Sequence, residues 1–323
     1  MTELQALRDA YRQHKAALLA SLQAQGASTR GIHVLLRKFS RLADGLLTTL
    51  WQRAGLPPGL TLAAVGGFGR EQLFPHSDID VLVLLPTDLP APDTVREQVE
   101  AFIRSCWDAG LEIGSSVRSV EECLSEAAND VTVQTSLLEA RRVCGDAALF
   151  AQFEHQFGAQ LDPHAFLVAK TLEMRQRHTK HENTPYALEP NCKESPGGLR
   201  DLHLILWVAR AAGLGKRWDE LAHSGLATPY EVRQIQRNEA LLFLIRARLH
   251  AMAGRREDRL VFDLQTAVAE SFGYRSQTPE GARFPLRASE TLMRRYYWAA
   301  KAVTQLSQIL LLNIEERLNP PTQ

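Results

Sequence analysis

The sequence predicts an α+β fold in which a small mixed sheet flanked by helices is followed by an all-α region. Short apolar runs at residues 62–65 and 81–85 have the length and composition of buried strands. Long segments before and after them repeat apolar residues at intervals of three and four, which is typical of amphipathic helices. We therefore expect N-terminal helices over residues 1–56 that pack on a sheet domain over 57–150, and a helical domain over 151–323.

The N-terminal part predicts two helices. The first is expected over residues 3–25, where leucines recur near helical spacing, and Gly26 ends it. The second is expected to begin at Ser28 or Thr29, either of which could cap it, and to continue to about residue 53. The glycines and prolines that follow break the helix before the first strand.

Helices and strands alternate after the second predicted strand. A helix is expected from about residue 93 to Ala109, and residues 111–118 form the next strand. Ser119 and Glu122 have the spacing of a capping box, so another helix begins there. Residues 129–160 predict two short helices on either side of an Arg-Arg-Val sequence.

The C-terminal half is predicted to be helical. A long helix begins at Pro163 and reaches about residue 182, and its basic second half is expected to be a solvated face, with contact to a triphosphate or an acidic partner as the alternative. A further amphipathic helix is expected over residues 199–210. The pair Gly197-Gly198 before it could leave an N-terminus that attracts anions.

Composition excludes several classes of protein. The chain is 45% hydrophobic and 23% charged with a net charge of zero, so no overall basicity indicates a nucleic-acid partner. No apolar run is long enough to span a membrane, and the N-terminus lacks the apolar core of a signal peptide. Four scattered cysteines without CxxC spacing argue against zinc sites and disulfides. We expect a cytoplasmic protein without membrane or nucleic-acid partners.

The segment between the first two strands contains the residues of a candidate site. Asp78 and Asp80 are two residues apart at the start of a strand, so both carboxylates should point to the same side. Like charges held this close favour a bound cation, and Mg²⁺ prefers carboxylate oxygens together with substrate phosphates. Gly66 and Gly67 lack a Cβ and would let backbone N–H groups approach a phosphate. Individually, however, such glycines often form only a tight turn, and such acids only a solvated strand end.

Taken together, these residues resemble a known family. The pattern of Gly-Gly, ten residues and Asp-apolar-Asp is similar to the nucleotidyltransferase superfamily that includes DNA polymerase beta. The string GGFGREQLFPHSDIDVLVLL resembles the bacterial protein-PII uridylyltransferases, in which a tyrosine is common where His76 stands. The string LEPNCKESPGGLRD is similar to a second segment of that family, LEPNIKEGPGGLRD. LEIGSSVR matches the family's LEVGHSVR at Glu112 but has Ser115 in place of histidine.

The resemblance implies a function and a set of residues. It implies Mg²⁺-dependent transfer of UMP from UTP to a tyrosine of a PII nitrogen-regulatory signal protein, with Asp78 and Asp80 holding the metal. Glu112 would be a third carboxylate or general base, unless it is an ordinary acid on the sheet. The predicted phosphate contacts are Gly66, Gly67, Ser77 and Arg70, with Lys193 and Arg200 as weaker candidates.

Alternatives to this function stay open. One is adenylyl transfer from ATP to glutamine synthetase or another acceptor, and another is a non-catalytic regulatory module with the same fold. The family's metal-dependent hydrolase domain is marked by a His-Asp dipeptide, which this sequence lacks. We therefore expect no uridylyl-removing domain in this chain.

Overall fold

The computed structural model describes residues 2–320 and divides the chain into two compact units. The first consists of the chain up to Ala20 together with Val34–Leu161, and the second of Ser21–His33 together with the chain from Asp162 onward. The predicted domain boundary at 150/151 falls inside the helix Ala147–Gln160.

The first unit contains a four-stranded mixed sheet. Its strands are β1 (Thr61–Ala64), β2 (Ile79–Leu85), β3 (Ile113–Ser119) and β4 (Arg141–Gly145), in the order β3-β2-β1-β4. β1 pairs antiparallel with both β2 and β4, whereas β2 and β3 are parallel. All of β1 and most of β2 are buried, as their apolar runs predict. The predicted α+β class with a small mixed sheet is confirmed.

Helices make up most of the rest of the chain. In the N-terminal half they are α1 (Glu3–Ala24), α2 (Ile32–Ala54), α3 (Gly66–Gly69), α4 (Pro92–Asp108), α5 (Val120–Asn129), α6 (Val131–Leu138) and α7 (Ala147–Gln160). The capping box predicted at Ser119 is present, because the Ser119 side chain accepts from the Glu122 N–H and the Glu122 carboxylate accepts from the Ser119 N–H. The glycine turn after β1 is one turn of helix, α3.

One strand was not predicted. The segment of 129–160 that separates its two helices is β4, which pairs with β1 across a bulge at Leu62/Ala63. Five residues beginning with two arginines have no apolar alternation to indicate a strand. The strand forms because its backbone completes the exposed edge of β1, and a contact so distant along the chain leaves no local pattern.

The second unit is helical, as predicted. Its helices are α8 (Pro163–Lys180), α9 (Leu199–Ala211), α10 (Trp218–His223), α11 (Pro229–Ala253), α12 (Phe262–Ser271) and α13 (Ala288–Leu318). The central helix α11 packs against α13, α12 and α9 and is buried on every side from Glu239 to His250. Among the helices within residues 2–320, none combines the length and apolar character that crossing a bilayer requires.

A buried arginine joins separate parts of this unit. Arg248 on α11 is 1% exposed and donates to the carbonyl oxygens of Leu22 (3.0 Å) and Gly26 (2.7 Å), which lie in and just after the last turn of α1. It also donates to the carbonyl of Ser271 at the end of α12. The guanidinium thus satisfies carbonyls that helix ends leave without donor partners, and its positive charge suits the negative end of the helix dipole.

Candidate active site

The acidic pair lies at the tip of β2. Asp78 directly precedes the strand and Asp80 is its second residue; both are exposed, whereas Ile79 between them is 4% exposed. This alternation is the one expected of two carboxylates on the same, solvent-accessible side. The strand tip is fixed on both edges, because Asp80 O accepts from the Val65 N–H and the Ile79 N–H donates to Glu112 O, each at 3.0 Å.

The helical turn α3 lies directly beside this pair. A Cβ on Gly66 would be 3.7 Å from Asp80 Oδ2, so the backbone of the turn is close to the carboxylate. Gly66 has φ +58°, a left-handed conformation that favours glycine. The first N–H groups of any helical turn lack intrahelical acceptors, so this turn can present donors to an anion next to the acids.

Close packing of α3 explains another of its glycines. A Cβ on Gly69 would lie 2.2 Å from the carbonyl oxygen of Glu139 and 3.0 Å from that of Ala64. Only glycine allows the turn to pack between the end of β1 and the residue that follows α6. The third glycine therefore serves packing rather than ligand contact.

Ser77 has a side chain suited to binding a ligand. Its Oγ is buried, and within residues 2–320 it has no hydrogen-bond partner. A buried hydroxyl without a partner is costly unless a ligand or water satisfies it. Its position directly before Asp78 fits the predicted contact with a phosphate oxygen.

Glu112 directly precedes β3 and lies near side chains of α1, which the sequence did not predict as its neighbours. It is exposed and, together with Tyr11 and Lys15 of α1, lines a cavity of about 400 Å³. Burial lowers the pKa of Lys15, and the Glu112 carboxylate partly opposes this; burial and then Glu112 raise the pKa of Tyr11 to about 12. In the described part of the chain, no three acid, histidine or cysteine side chains are grouped to hold a metal. The role of Glu112 as a third carboxylate or general base stays a prediction; its backbone oxygen accepts from the Ile79 N–H, which places it beside the start of β2.

Arg70 is engaged by a protein carboxylate. Its Nη1 donates to both oxygens of Glu139, at 2.7 and 2.5 Å, and its Nε donates to Gln72 at 3.0 Å. The Glu139 side chain is 4% exposed, so this is a nearly buried ion pair. Its charge is already balanced, and the geometry favours a role in bracing α3 against the end of α6. Sequence reasoning missed Glu139, because nothing in its local pattern indicates a partner 69 residues away.

Lys193 and Arg200 belong to the second unit and share one acidic neighbour. The Glu194 carboxylate lies 3.0 Å from Arg200 Nη2 and 3.8 Å from Lys193 Nζ. Burial, and then the charges of Arg246 and Arg200, lower the pKa of Lys193 to about 8. Arg200 Nε is buried and has no hydrogen-bond partner among residues 2–320, so Arg200 keeps one donor for a ligand.

The N-terminus of α9 is not the anion site that its glycines predict. Gly197 N–H donates to Asp201 Oδ2 at 2.8 Å, so the helix supplies its own carboxylate. The next N–H groups, of Gly198, Leu199 and Arg200, donate to carbonyl oxygens of the preceding loop at 2.8–3.0 Å. This end of the helix is saturated by protein acceptors.

The basic half of α8 is only in part the solvated face expected, because Arg175 and Lys180 are exposed whereas other basic side chains of the helix are not. Arg177 and His178 lie 2.7 and 2.8 Å from the Asp201 carboxylate, which is only 2% exposed, and Lys170 is 1% exposed. Burial would raise the pKa of Asp201, but His178 and Arg177 lower it overall. These residues hold α8, α9 and the intervening loop together.

A second carboxylate, Asp258, whose side chain is 14% exposed, contacts the other side of the same loop. Asp258 accepts from Arg246 Nε at 2.6 Å and interacts with His250 Nε2 at 2.9 Å. Its backbone oxygen accepts from the Cys192 N–H at 2.8 Å. Burial opposes ionisation, yet His250 and Arg246 hold the pKa of Asp258 well below its usual range.

Comparisons with known proteins agree with the two resembling strings. Residues 165–311 match the family model described as "GlnD PII-uridylyltransferase". A protein of Burkholderia mallei (strain ATCC 23344), named "Bifunctional uridylyltransferase/uridylyl-removing enzyme", is 59% identical over 306 residues. A protein of the same name from Burkholderia pseudomallei (strain K96243) is 58% identical over 306 residues. Each alignment covers 95% of this chain but 35% of the relative, so the chain spans about a third of their length.

Proposed function

The chain belongs to the family of PII-uridylyltransferases, and from this premise we propose that it transfers UMP from UTP to a tyrosine hydroxyl of a PII nitrogen-regulatory signal protein. The observation that supports this best is the exposed pair Asp78 and Asp80 beside the glycine turn α3. A carboxylate pair next to backbone donors is the arrangement that a metal-bound triphosphate requires. We assign the reaction to the cytoplasm, where nucleoside triphosphates and reduced cysteines coexist; all four cysteines here are free.

Asp78 and Asp80 fit Mg²⁺ as a cofactor. They are hard oxygen donors on either side of the buried Ile79, and the glycine turn lies beside Asp80. When bound, the ion would neutralise charge on the triphosphate and on the transition state. The grouping of only two carboxylates suits Mg²⁺, which usually keeps substrate and water oxygens as ligands.

We assign the remaining roles to residues near the acidic pair. Backbone N–H groups of Gly66 and Gly67, with the Ser77 hydroxyl, would hold the β- and γ-phosphates. The tyrosine oxygen attacks the α-phosphorus, the bond to the β-phosphate oxygen breaks, and pyrophosphate leaves. The hydroxyl proton passes to a base, for which Glu112 is the candidate on this edge of the sheet.

Three assigned phosphate contacts differ in their support. Arg70 keeps its place in the proposal as a brace of the glycine turn, since Glu139 already neutralises it. Arg200, with its unpartnered Nε, and Lys193 remain candidates for anion contact. Both cations lie against the Glu194 carboxylate.

The proposal is tested by pyrophosphate release. Purified chain, UTP, Mg²⁺ and a PII protein are expected to yield pyrophosphate and uridylylated PII, and omission of Mg²⁺ or PII should abolish both. Replacing UTP by ATP separates uridylyl from adenylyl transfer. Equal turnover of ATP, or a chain that neither binds a triphosphate nor releases pyrophosphate, would contradict the proposal and favour adenylyl transfer or the non-catalytic module.

A further inference from the structure

Gly114 on β3 lies directly opposite Asp80. The two residues are register partners in the parallel β2–β3 pairing, so their side-chain positions are neighbours on the same face of the sheet. A Cβ built on Gly114 would be only 2.6 Å from Asp80 Oδ1, closer than any real contact of this kind. The carboxylate of Asp80 therefore occupies the space that any other residue at position 114 would fill.

A second glycine closes the other side of this space. A Cβ built on Gly66 would lie 3.7 Å from the other carboxylate oxygen of Asp80, Oδ2. The Asp80 backbone is fixed as well, because its carbonyl accepts from the Val65 N–H at 3.0 Å. Asp80 thus sits in a slot whose walls are two glycines from separate segments, and the slot limits where its carboxylate can turn.

We propose that Gly114 is a positioning residue for the metal site, and that its missing side chain sets the orientation of the Asp80 carboxylate. This inference rests on the proposed function, since it concerns the same site. Gly114 would touch neither substrate nor metal. It acts because an alanine there would push Oδ1 aside, and a metal ligand displaced by about 1 Å loses much of its contribution.

The backbone makes the effect separable from folding. Gly114 has no left-handed φ, so alanine meets no backbone strain, and the atom it meets is the end of an exposed side chain, which can leave the slot toward solvent. We therefore expect Gly114→Ala to fold with nearly unchanged thermal stability. Gly158→Ala on α7 is the matched control in the same unit, because nothing lies within 4 Å of its added Cβ.

The test is Mn²⁺ binding in the presence of UTP, followed by electron paramagnetic resonance, which needs no turnover. We expect the Gly114→Ala variant to bind Mn²⁺ at least about tenfold more weakly, in the range seen when a ligand's supporting residues are removed. Gly158→Ala should bind as the wild type does. Wild-type affinity in a folded Gly114→Ala variant would overturn the inference while leaving the proposed function intact; absence of UTP-dependent Mn²⁺ binding by the wild type would overturn both.

A double variant separates an effect that acts through Asp80 from a general effect of Gly114→Ala on folding. Asp80→Ala removes the carboxylate that the new methyl group would displace. Adding Gly114→Ala to Asp80→Ala should then change neither the melting temperature nor the residual Mn²⁺ affinity. A further loss in the double variant would show that position 114 acts on something other than Asp80 and would overturn the inference.

Discussion

Replacing Asp201 by asparagine should destabilise the helical unit more than any surface change. The carboxylate is 2% exposed and serves three donors at once: Arg177 at 2.7 Å, His178 at 2.8 Å and the Gly197 N–H at 2.8 Å. The asparagine side chain would keep the shape and one acceptor oxygen but leave Arg177, whose side chain is only 10% exposed, without this counter-charge. Loss of one partner of a buried ion pair costs about 3–5 kcal/mol, and we expect about 3 kcal/mol here because part of the acceptor capacity remains.

The assay is thermal unfolding by calorimetry or circular dichroism. For a unit of this size, each kcal/mol shifts the melting temperature by about 2–4 °C, so Asp201→Asn should lower it by about 6–12 °C. Asp219→Asn is the matched control, because Asp219 pairs with Arg217 at 3.4 Å and both side chains are more than half exposed. That exposed pair contributes less than about 1 kcal/mol. Equal shifts for the two variants would refute the reasoning that Asp201 holds the loop.

Three further predictions concern other parts of the molecule. Arg248→Met should destabilise the protein by at least about 3 kcal/mol, because hydrogen bonds from a charged donor contribute about 1.5–3 kcal/mol each and the carbonyl acceptors are left unpaired. Chemical denaturation showing no loss would contradict this. Asp201 and Asp258 have pKa values below their usual range in the folded protein. Their contribution to the free energy of unfolding is therefore complete above about pH 5 and is lost as the pH falls through about 4 and below. A free energy of unfolding that stays constant down to about pH 2 would contradict this prediction. Glu112→Gln should slow uridylyl transfer about 100-fold or more if Glu112 is the base, while UTP-dependent Mn²⁺ binding stays unchanged. A normal rate of transfer would remove Glu112 from the mechanism and leave it as a neighbour of Lys15.

Much of the acidic site could be predicted because it depends on local geometry. Side chains alternate along a strand whatever the fold, so Asp78 and Asp80 had to share a face once β2 was recognised. The strand itself was recognisable from an unbroken apolar run, since burial on both faces requires one. The helices followed from their periodicity and from the capping box at Ser119 for the same local reason.

What could not be predicted depends on contacts between distant segments. The pairing of β4 with β1 and the ion pair of Arg70 with Glu139 have no signature in either segment alone. The slot at Gly114 has a weak sequence signature, because a glycine inside a strand often marks a close approach by another group. That signal shows that space is needed without showing that Asp80 fills it.

The N-terminus of α9 shows how the same motif can mislead. Gly197 and Gly198 before a helix are compatible with an anion site, and sequence spacing cannot tell a ligand's charge from the protein's own. Here Asp201, four residues beyond Gly197, supplies the negative charge. Of the basic side chains of α8, Arg175 and Lys180 are exposed as expected, whereas Arg177 and His178 contact this same carboxylate.

The most direct test of the central claim is UMP transfer by the Asp80→Asn variant, measured with labelled UTP and a PII protein. Asparagine keeps the size of the side chain but removes the charge that would hold the metal, and Asp80 is exposed, so the fold should persist. We predict that transfer falls by about a thousandfold or more, with a melting temperature close to that of the wild type. Transfer within a few fold of the wild-type rate would contradict the assignment of Asp78 and Asp80 as the metal site.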